Sequence, residues 1–434
     1  MGNIITLIII ANAVLAIVLQ AVFPNRRHII MFACATVALV LATLKYPMST
    51  FLGSLPWDTV LILFALTIFG EFIFGSRLFN VLIRKIATLC RGKTYLILIV
   101  FNIIVFIVSS VLNNYQALLI VLPALLGILK LVDGLNKWYL TILFSSILII
   151  SNLAGASTPI GDFPALYLLS QGVITFSSYF ANATPFAVLA ATAIILLSVF
   201  FYRIKPAVVP QEAEKLSVAY TEALYRNVKL NKQLLYPSIV VFAGMFAFWL
   251  LGYNPTKVAL LGLSALAIII KSGKYAEEKV ISTDPSIFIY FISLFIIIAS
   301  IQQTGILNCI ADYLKTIENP KVLLIVFSCI TVLVTGFVSA GPSTVAFFPI
   351  AVQIAPLYAD NVVITCFCLS ICAGSSLFLT AATAGPLLTQ MTEKYPLSIN
   401  GNKYLFSFKD YLIPGIIGAG VIFLSNILYI FIHL

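Results

Sequence analysis

The sequence predicts an all-α polytopic membrane protein made of two inverted-topology repeats, each with a re-entrant hairpin and a broken transmembrane helix. Three observations predict it. First, 61% of the 434 residues are hydrophobic and 9% charged, and several runs reach the roughly 20 apolar residues a membrane helix needs. Second, Lys and Arg collect in short polar loops, as positive charge does on the cytoplasmic side of membrane proteins. Third, one unusual order of polar residues and helix breakers occurs twice, half a chain apart. The first copy is Asn113-Asn114-Tyr115-Gln116 running to Pro123, then Gly155-Ala156-Ser157-Thr158-Pro159-Ile160-Gly161-Asp162. The second is Ser339-Ala340-Gly341-Pro342-Ser343-Thr344 running to Pro349, then Gly374-Ser375-Ser376 and Thr380 to Pro386. Backbone freed from a helix finds no water in hydrocarbon unless protein or a wet cavity supplies partners, so two matched sets point to two halves of one site.

In chain order, oily segments fall at about residues 4–23, 28–45, 58–75, 94–130, 138–171, 183–202, 234–252, 255–271, 285–304, 322–358, 361–392 and 411–432. Those at 94, 138, 322 and 361 are interrupted. The first segment lacks a basic start and is as long as a full span, so it reads as a helix rather than a signal peptide. Arg26 and Arg27 follow it. Arg77, Arg84, Lys85, Arg91 and Lys93 follow the third with no acid among them, so both loops are expected in the cytoplasm. The stretch 203–232 and Lys271 to Lys279 read the same way. For these loops to share a side, 94–130 must enter and leave by the cytoplasmic face while 138–171 crosses with a break. The loop carrying Asp312, Lys315, Glu318 and Lys321 is charge-balanced and assigned outside, so 322–358 dips from the opposite face. About ten crossings plus two hairpins result, with both termini external.

The expected divisions are 1–57 as peripheral helices, 58–202 as the first repeat and 203–233 as a cytoplasmic linker, with Tyr220 to Lys232 as a surface helix. Connecting helices at 234–283 and a second repeat at 284–434 complete the chain. Gly75 pairs with Gly305, Pro123 with Pro349, and Ala154-Gly155-Ala156-Ser157 with Ala373-Gly374-Ser375-Ser376, so the repeat rests on order and spacing. The expected location is a bacterial inner membrane.

Hairpin tips and broken helices expose carbonyls and amides normally satisfied within a helix. Carbonyl and side-chain oxygens suit a hard cation such as sodium, and amides opening a half-helix favour an anion. In the first tip, Asn113 and Asn114 offer donors and acceptors without a buried charge, or they only glue helices together. Ser339, Ser343 and Thr344 are their counterparts, while Gly341 and Pro342 are expected to shape the turn. In the breaks, Ser157 and Thr158 face Ser375, Ser376, Thr380 and Thr383 as candidate hydroxyl ligands, or each bonds its own backbone. Gly155, Pro159, Gly161 and Gly374 are expected to shape the backbone. Asp162 is either a proton or cation site or the N-cap of the following half-helix. Glu71 is a proton-relay candidate, or simply reaches the surface or pairs with Arg77. No Lys or Arg falls within the matched sets, so the pocket either holds an anion through half-helix dipoles alone or prefers something neutral.

The net charge of +10 is accounted for by orienting loops, and nucleic acid is not an expected partner; membrane lipid is. Cys368 and Cys372 share a helix face and offer two thiols to a soft metal or arsenite, but no His or further thiol completes a site. Otherwise they pack as small hydrophobes. His28 and His433 end segments, and no Gly-Lys-Ser/Thr loop cradles a nucleotide. No enzyme, cofactor or metal beyond sodium is expected, and energy is expected from a sodium or proton gradient rather than from ATP, unless a partner supplies it.

The order of tip, oily stretch, proline and glycine-rich break, doubled, resembles the ion transporter superfamily over about residues 58–432. That group includes divalent anion/sodium symporters, citrate transporters, arsenite permeases and NhaD-type sodium/proton antiporters. Asn113-Asn114-Tyr115 lies where dicarboxylate symporters carry Ser-Asn-Thr, and only Asn114 and Ser339 match the pattern literally. The antiporters' tip is typically Asp-Asn, whereas Ser157-Thr158-Pro159-Ile160-Gly161-Asp162 is similar to their break. The resemblance implies a homodimer with a scaffold and a transport domain that carries a small anionic or polar solute in an elevator-like motion. The alternatives left open are a sodium/proton antiporter using Asp162, and a channel or scaffold.

Overall fold

The computed structural model describes residues 2–23, 26–44, 47–78, 81–82, 85, 90, 93–130, 132, 135–206, 219, 223, 229–270, 285–358, 361–399 and 402–434. The surface helix expected at Tyr220 to Lys232 lies largely outside them, as do Arg84, Arg91 and Lys271 to Lys279. The first half has α1 (Gly2–Val22), α2 (Arg27–Thr43), α3 (Met48–Gly53) and α4 (Trp57–Gly75), then α5 (Thr94–Ser109) and α6 (Asn114–Leu129) as a hairpin. After these come α7 (Lys137–Ser157), α8 (Phe163–Ser170) and α9 (Phe176–Ile204). The second half has α10 (Lys232–Leu250), α11 (Pro255–Ile269) and α12 (Ser286–Gln302), with α13 (Ile306–Lys315) bent 69° from α12. Then come α14 (Pro320–Val338), α15 (Ala340–Ile354), α16 (Val362–Ser375), α17 (Gly385–Lys394) and α18 (Phe408–His433). A two-stranded antiparallel hairpin, β1 (Leu397–Ile399) with β2 (Asn402–Tyr404), precedes α18.

The described chain is nearly all helical, and seven helices are long and apolar enough to cross a membrane, or eight counting the bent pair. α5 and α6, with 16 residues each, are about 24 Å long, short of a roughly 30 Å hydrocarbon core. α14 reaches spanning length, as does α15 with its following turn.

α9 serves as a ruler between the two ends of the bundle. Near its C-terminal end, Tyr202 OH and Thr94 Oγ1 lie 2.8 Å apart and Asn136 Nδ2 donates to Lys205 O at 3.4 Å, so the α5–α6 hairpin opens there. Near its N-terminal end, Asn361 Nδ2 donates to Ser178 Oγ at 3.0 Å, and Tyr358 OH donates to Pro320 O at 2.7 Å, so the α14–α15 hairpin opens at the other. This is consistent with inverted repeats. Packing crosses between halves as well: α1 and α2 lie on α12, and α10 and α11 lie on α4. α7 packs directly on α16, bringing the two interrupted segments together.

Three details differ from expectation, for local reasons. α9 starts at Phe176 rather than near 183, because Thr175 caps it by accepting the Ser178 N–H at 3.2 Å. The charge-balanced loop after α12 contains α13, which buries Leu307, Ala311 and Leu314 on one face. The β-hairpin is too short to leave a period-2 signal. Large apolar side chains such as Leu7, Phe32, Leu196, Leu261 and Phe337 are exposed across the outside, as suits a lipid solvent.

Candidate functional site

Residues 110–113 join α5 to α6, and Asn113 caps α6 by accepting the Tyr115 N–H at 3.0 Å. Asn114 follows, fully buried. Its Oδ1 accepts from Ser109 Oγ at 2.7 Å; its Nδ2 donates to Asp162 Oδ2 at 3.0 Å and, more weakly, to Asn152 Oδ1 at 3.5 Å. Asn152 donates to Ser375 O and Ser376 Oγ, both at 3.2 Å. A buried polar chain therefore runs from Asp162 through Asn114 and Asn152 to Ser376, joining the first break to the second.

The backbone makes room for it. A Cβ on Gly155 would lie 2.6 Å from both Asn114 Oδ1 and Asp162 Cβ, so only glycine lets those side chains close on α7. At Gly374, its counterpart on α16, a Cβ would lie 2.5 Å from Thr335 Cβ and 2.6 Å from Val332 O. Gly161 lies against the carbonyls of Gly155 and Ser109. Pro159 occupies the irregular stretch between α7 and α8. There the Thr158 hydroxyl donates to Ser110 O, while Tyr179 OH and Thr184 Oγ1 satisfy the carbonyls of Ala156 and Ser157 at 2.8 and 2.6 Å. Asp162 stands at the N-cap position of α8, yet its carboxylate makes no capping bond there and accepts from Asn114 instead.

The second tip is tighter. Ser339 alone separates α14 from α15, at φ 89° and ψ 164°, a region almost confined to glycine. Gly341 and Pro342 lie in the first turn of α15. Ser343 Oγ and Thr335 Oγ1 are buried without a hydrogen-bond partner. Ser157, Thr344 and Ser375 each bond a carbonyl of their own helix, at 2.6, 2.7 and 3.0 Å. Thr380 is exposed, and Glu71 is half-buried on α4.

A cavity of about 300 Å³ gathers both halves. Its walls include Asn113 and Tyr115 from the first tip, Asp162 and Phe163 from the first break, Ala340 and Gly341 from the second tip, and Thr383 and Pro386 from the second break. Arg27 and His28 at the start of α2, with Tyr290 on α12, close another wall. This corrects the expectation of a site without Arg: read in sequence as an orienting loop charge, Arg27 faces the chamber. A larger cavity, of about 490 Å³ between α7, α9 and α18, is almost wholly apolar and touches neither tip, so it offers a polar solute little to orient it. Among the described residues no group of three or more His, Cys, Asp or Glu could hold a metal.

Ser109, Asn152 and Tyr290 went unread in the sequence, and Arg27 was read only as a loop charge. Asn152 carried a usable signal, an amide in the middle of an apolar run, where a polar side chain must find a partner.

The sequence model of the citrate transporter family matches residues 5–374. Magnetosome protein MamN of Paramagnetospirillum magneticum is 25% identical over 93% of each chain. An uncharacterized transporter of Mycobacterium tuberculosis is 24% identical over 71% of this chain and 69% of its own. MtrF of Neisseria gonorrhoeae, described among a class of antimetabolite efflux pumps, aligns with 90% of this chain and 83% of its own at 14% identity and TM-score 0.47, too distant to carry an argument.

Proposed function

Because the chain belongs to the citrate transporter family, we propose that it is a secondary active transporter moving a small anionic or polar solute, coupled to a sodium or proton gradient. The observation that carries this reading is the shared cavity, to which both tips and both breaks contribute. Polar and unwound elements from two oppositely opening hairpins meet there, as a midplane binding site requires. On the cavity wall Asn113 and Thr383 supply oxygens for a cation beside the backbone amides that open α15 for an anion, with Asn114, Ser339 and Ser343 behind them in the two tips. α5–α9 and α14–α18 form the moving part in an elevator-type motion, re-entrant at both tips. α1–α4 and α10–α12 form the scaffold, through which the protein dimerises in a bacterial inner membrane.

Uptake into proteoliposomes under an imposed sodium or proton gradient, with citrate as the first solute, tests the reading. Asn114→Ala and Ser339→Ala are each expected to abolish uptake while the protein still folds; normal uptake by both removes the site.

A second reading, sodium/proton antiport, is favoured by one observation: Asp162 is a buried carboxylate bonded to Asn114 and lining the cavity. Carboxylates at bilayer depth serve cation or proton transfer. Robust proton flux driven by sodium alone, with no other solute, and abolished in Asp162→Asn, would establish antiport and displace solute uptake.

A further inference from the structure

We infer that Arg27 is a specificity-determining residue that holds one carboxylate of an anionic solute at the wall of the 300 Å³ cavity; this rests on the transport reading above and assigns the side chain that reads the solute's charge there. Arg27 is the first residue of α2 and half-buried. A guanidinium at bilayer edge or deeper keeps its charge, so it either snorkels to water or finds an anion. Here it lies 5.3 Å from the centroid of the Tyr290 ring. That contact holds the cation in place while, among the described residues, leaving its N–H groups without an anionic acceptor. Among the described residues no carboxylate pairs with Arg27: the salt bridges join Lys137 to Asp410 and Lys315 to Asp312. Asp162, which lines the same cavity, is engaged by Asn114.

The first turn of α15 also lines this cavity. Its leading amides carry partial positive charge, and a Cβ on Gly341 would make ordinary van der Waals contact with Leu294, Phe291 and Tyr290 at 3.7 to 3.8 Å, so this turn packs beside the ring that holds Arg27. A planar guanidinium and a helix start thus share a chamber of about 300 Å³. The guanidinium fork matches a carboxylate through two parallel hydrogen bonds. α2 packs on α1 and α12 rather than on either hairpin. The Arg27 contact is therefore made from outside the tips, in the arrangement where they face α2.

The test uses the full-length protein, with citrate as anionic probe and glycerol as neutral control, read by thermal stabilisation and by proteoliposome uptake. Arg27→Gln is expected to raise the citrate Kd and KM about tenfold to a hundredfold, leaving maximal rate nearly unchanged. Arg27→Lys, which keeps charge but loses the fork, is expected to fall between. If wild type takes up citrate and Arg27→Gln does so with the same KM, the assignment is overturned and transport stands. Should Arg27→Gln fail to accumulate, Arg27→Lys and Tyr290→Leu carry the test, and an unchanged citrate KM in both overturns it. Uptake of glycerol or sodium alone, without citrate binding, overturns the assignment only. A wild type that moves no solute under any gradient overturns the transport reading with it.

Discussion

At the scale of single residues, the site depends on one close approach. Because a Cβ on Gly155 would lie 2.6 Å from both Asn114 Oδ1 and Asp162 Cβ, Gly155→Ala forces both side chains off α7. The expected cost is about 1–3 kcal/mol, as for overpacking in a tight core. Because the displaced groups are those of the polar chain, uptake should fall further than stability; a thermal midpoint and an uptake rate measured on one preparation check both. A variant with wild-type uptake would show that the Asn114–Asp162 contact is dispensable. Asn114 and Asp162 were legible in sequence because amides and acids at bilayer depth are rare. Ser157, Thr344 and Ser375 were equally visible, yet here they bond their own helices. Periodicity cannot say which way a hydroxyl points, since backbone and ligand compete for it locally.

At the scale of elements, the interruptions matter more than the helices. α8 is too short to stand alone, and in the second half α17 is followed by the β-hairpin before the chain turns into α18. α18 is secured by a capping box in which Ser407 and Asp410 bond reciprocally, while Lys137 at the start of α7 lies 2.8 Å from Asp410. Asp410→Ala is expected to lower stability by about 1–2 kcal/mol, the usual worth of a cap. Lys137 is exposed, so Lys137→Ala should cost less than about 1 kcal/mol. Thermal melts of the two variants check the order, and a reversed order would make the ion pair dominant. Helix existence and approximate span were legible from hydropathy. The start of α9 and the fold of α13 were not, because capping and one-sided burial outweigh mean apolarity there.

At the scale of the whole molecule, two halves with oppositely opening hairpins meet at one chamber, walled on one side by helices from the other packing group. In an alternating-access cycle that chamber is wetted from one side at a time. Gly341→Cys, with the exposed Cys309 changed to Ser, is expected to react with an impermeant thiol reagent applied from the side bearing Arg27. Citrate should slow the reaction. At a hundred times its Kd, bound citrate should also stabilise the protein by about 2.7 kcal/mol through mass action. Labelling from neither side would mean a sealed core rather than a transport chamber. The sequence by itself determined that this is a multi-pass helical membrane protein with two matched polar interruptions, because hydrocarbon penalises every unpaired polar group and so makes the exceptions conspicuous. Only the tertiary structure decided that Asn152 links the two breaks and that Arg27 faces the chamber instead of merely orienting a loop. Both facts depend on which helices pack across the halves, and side-chain partners separated by hundreds of residues leave no trace in local composition.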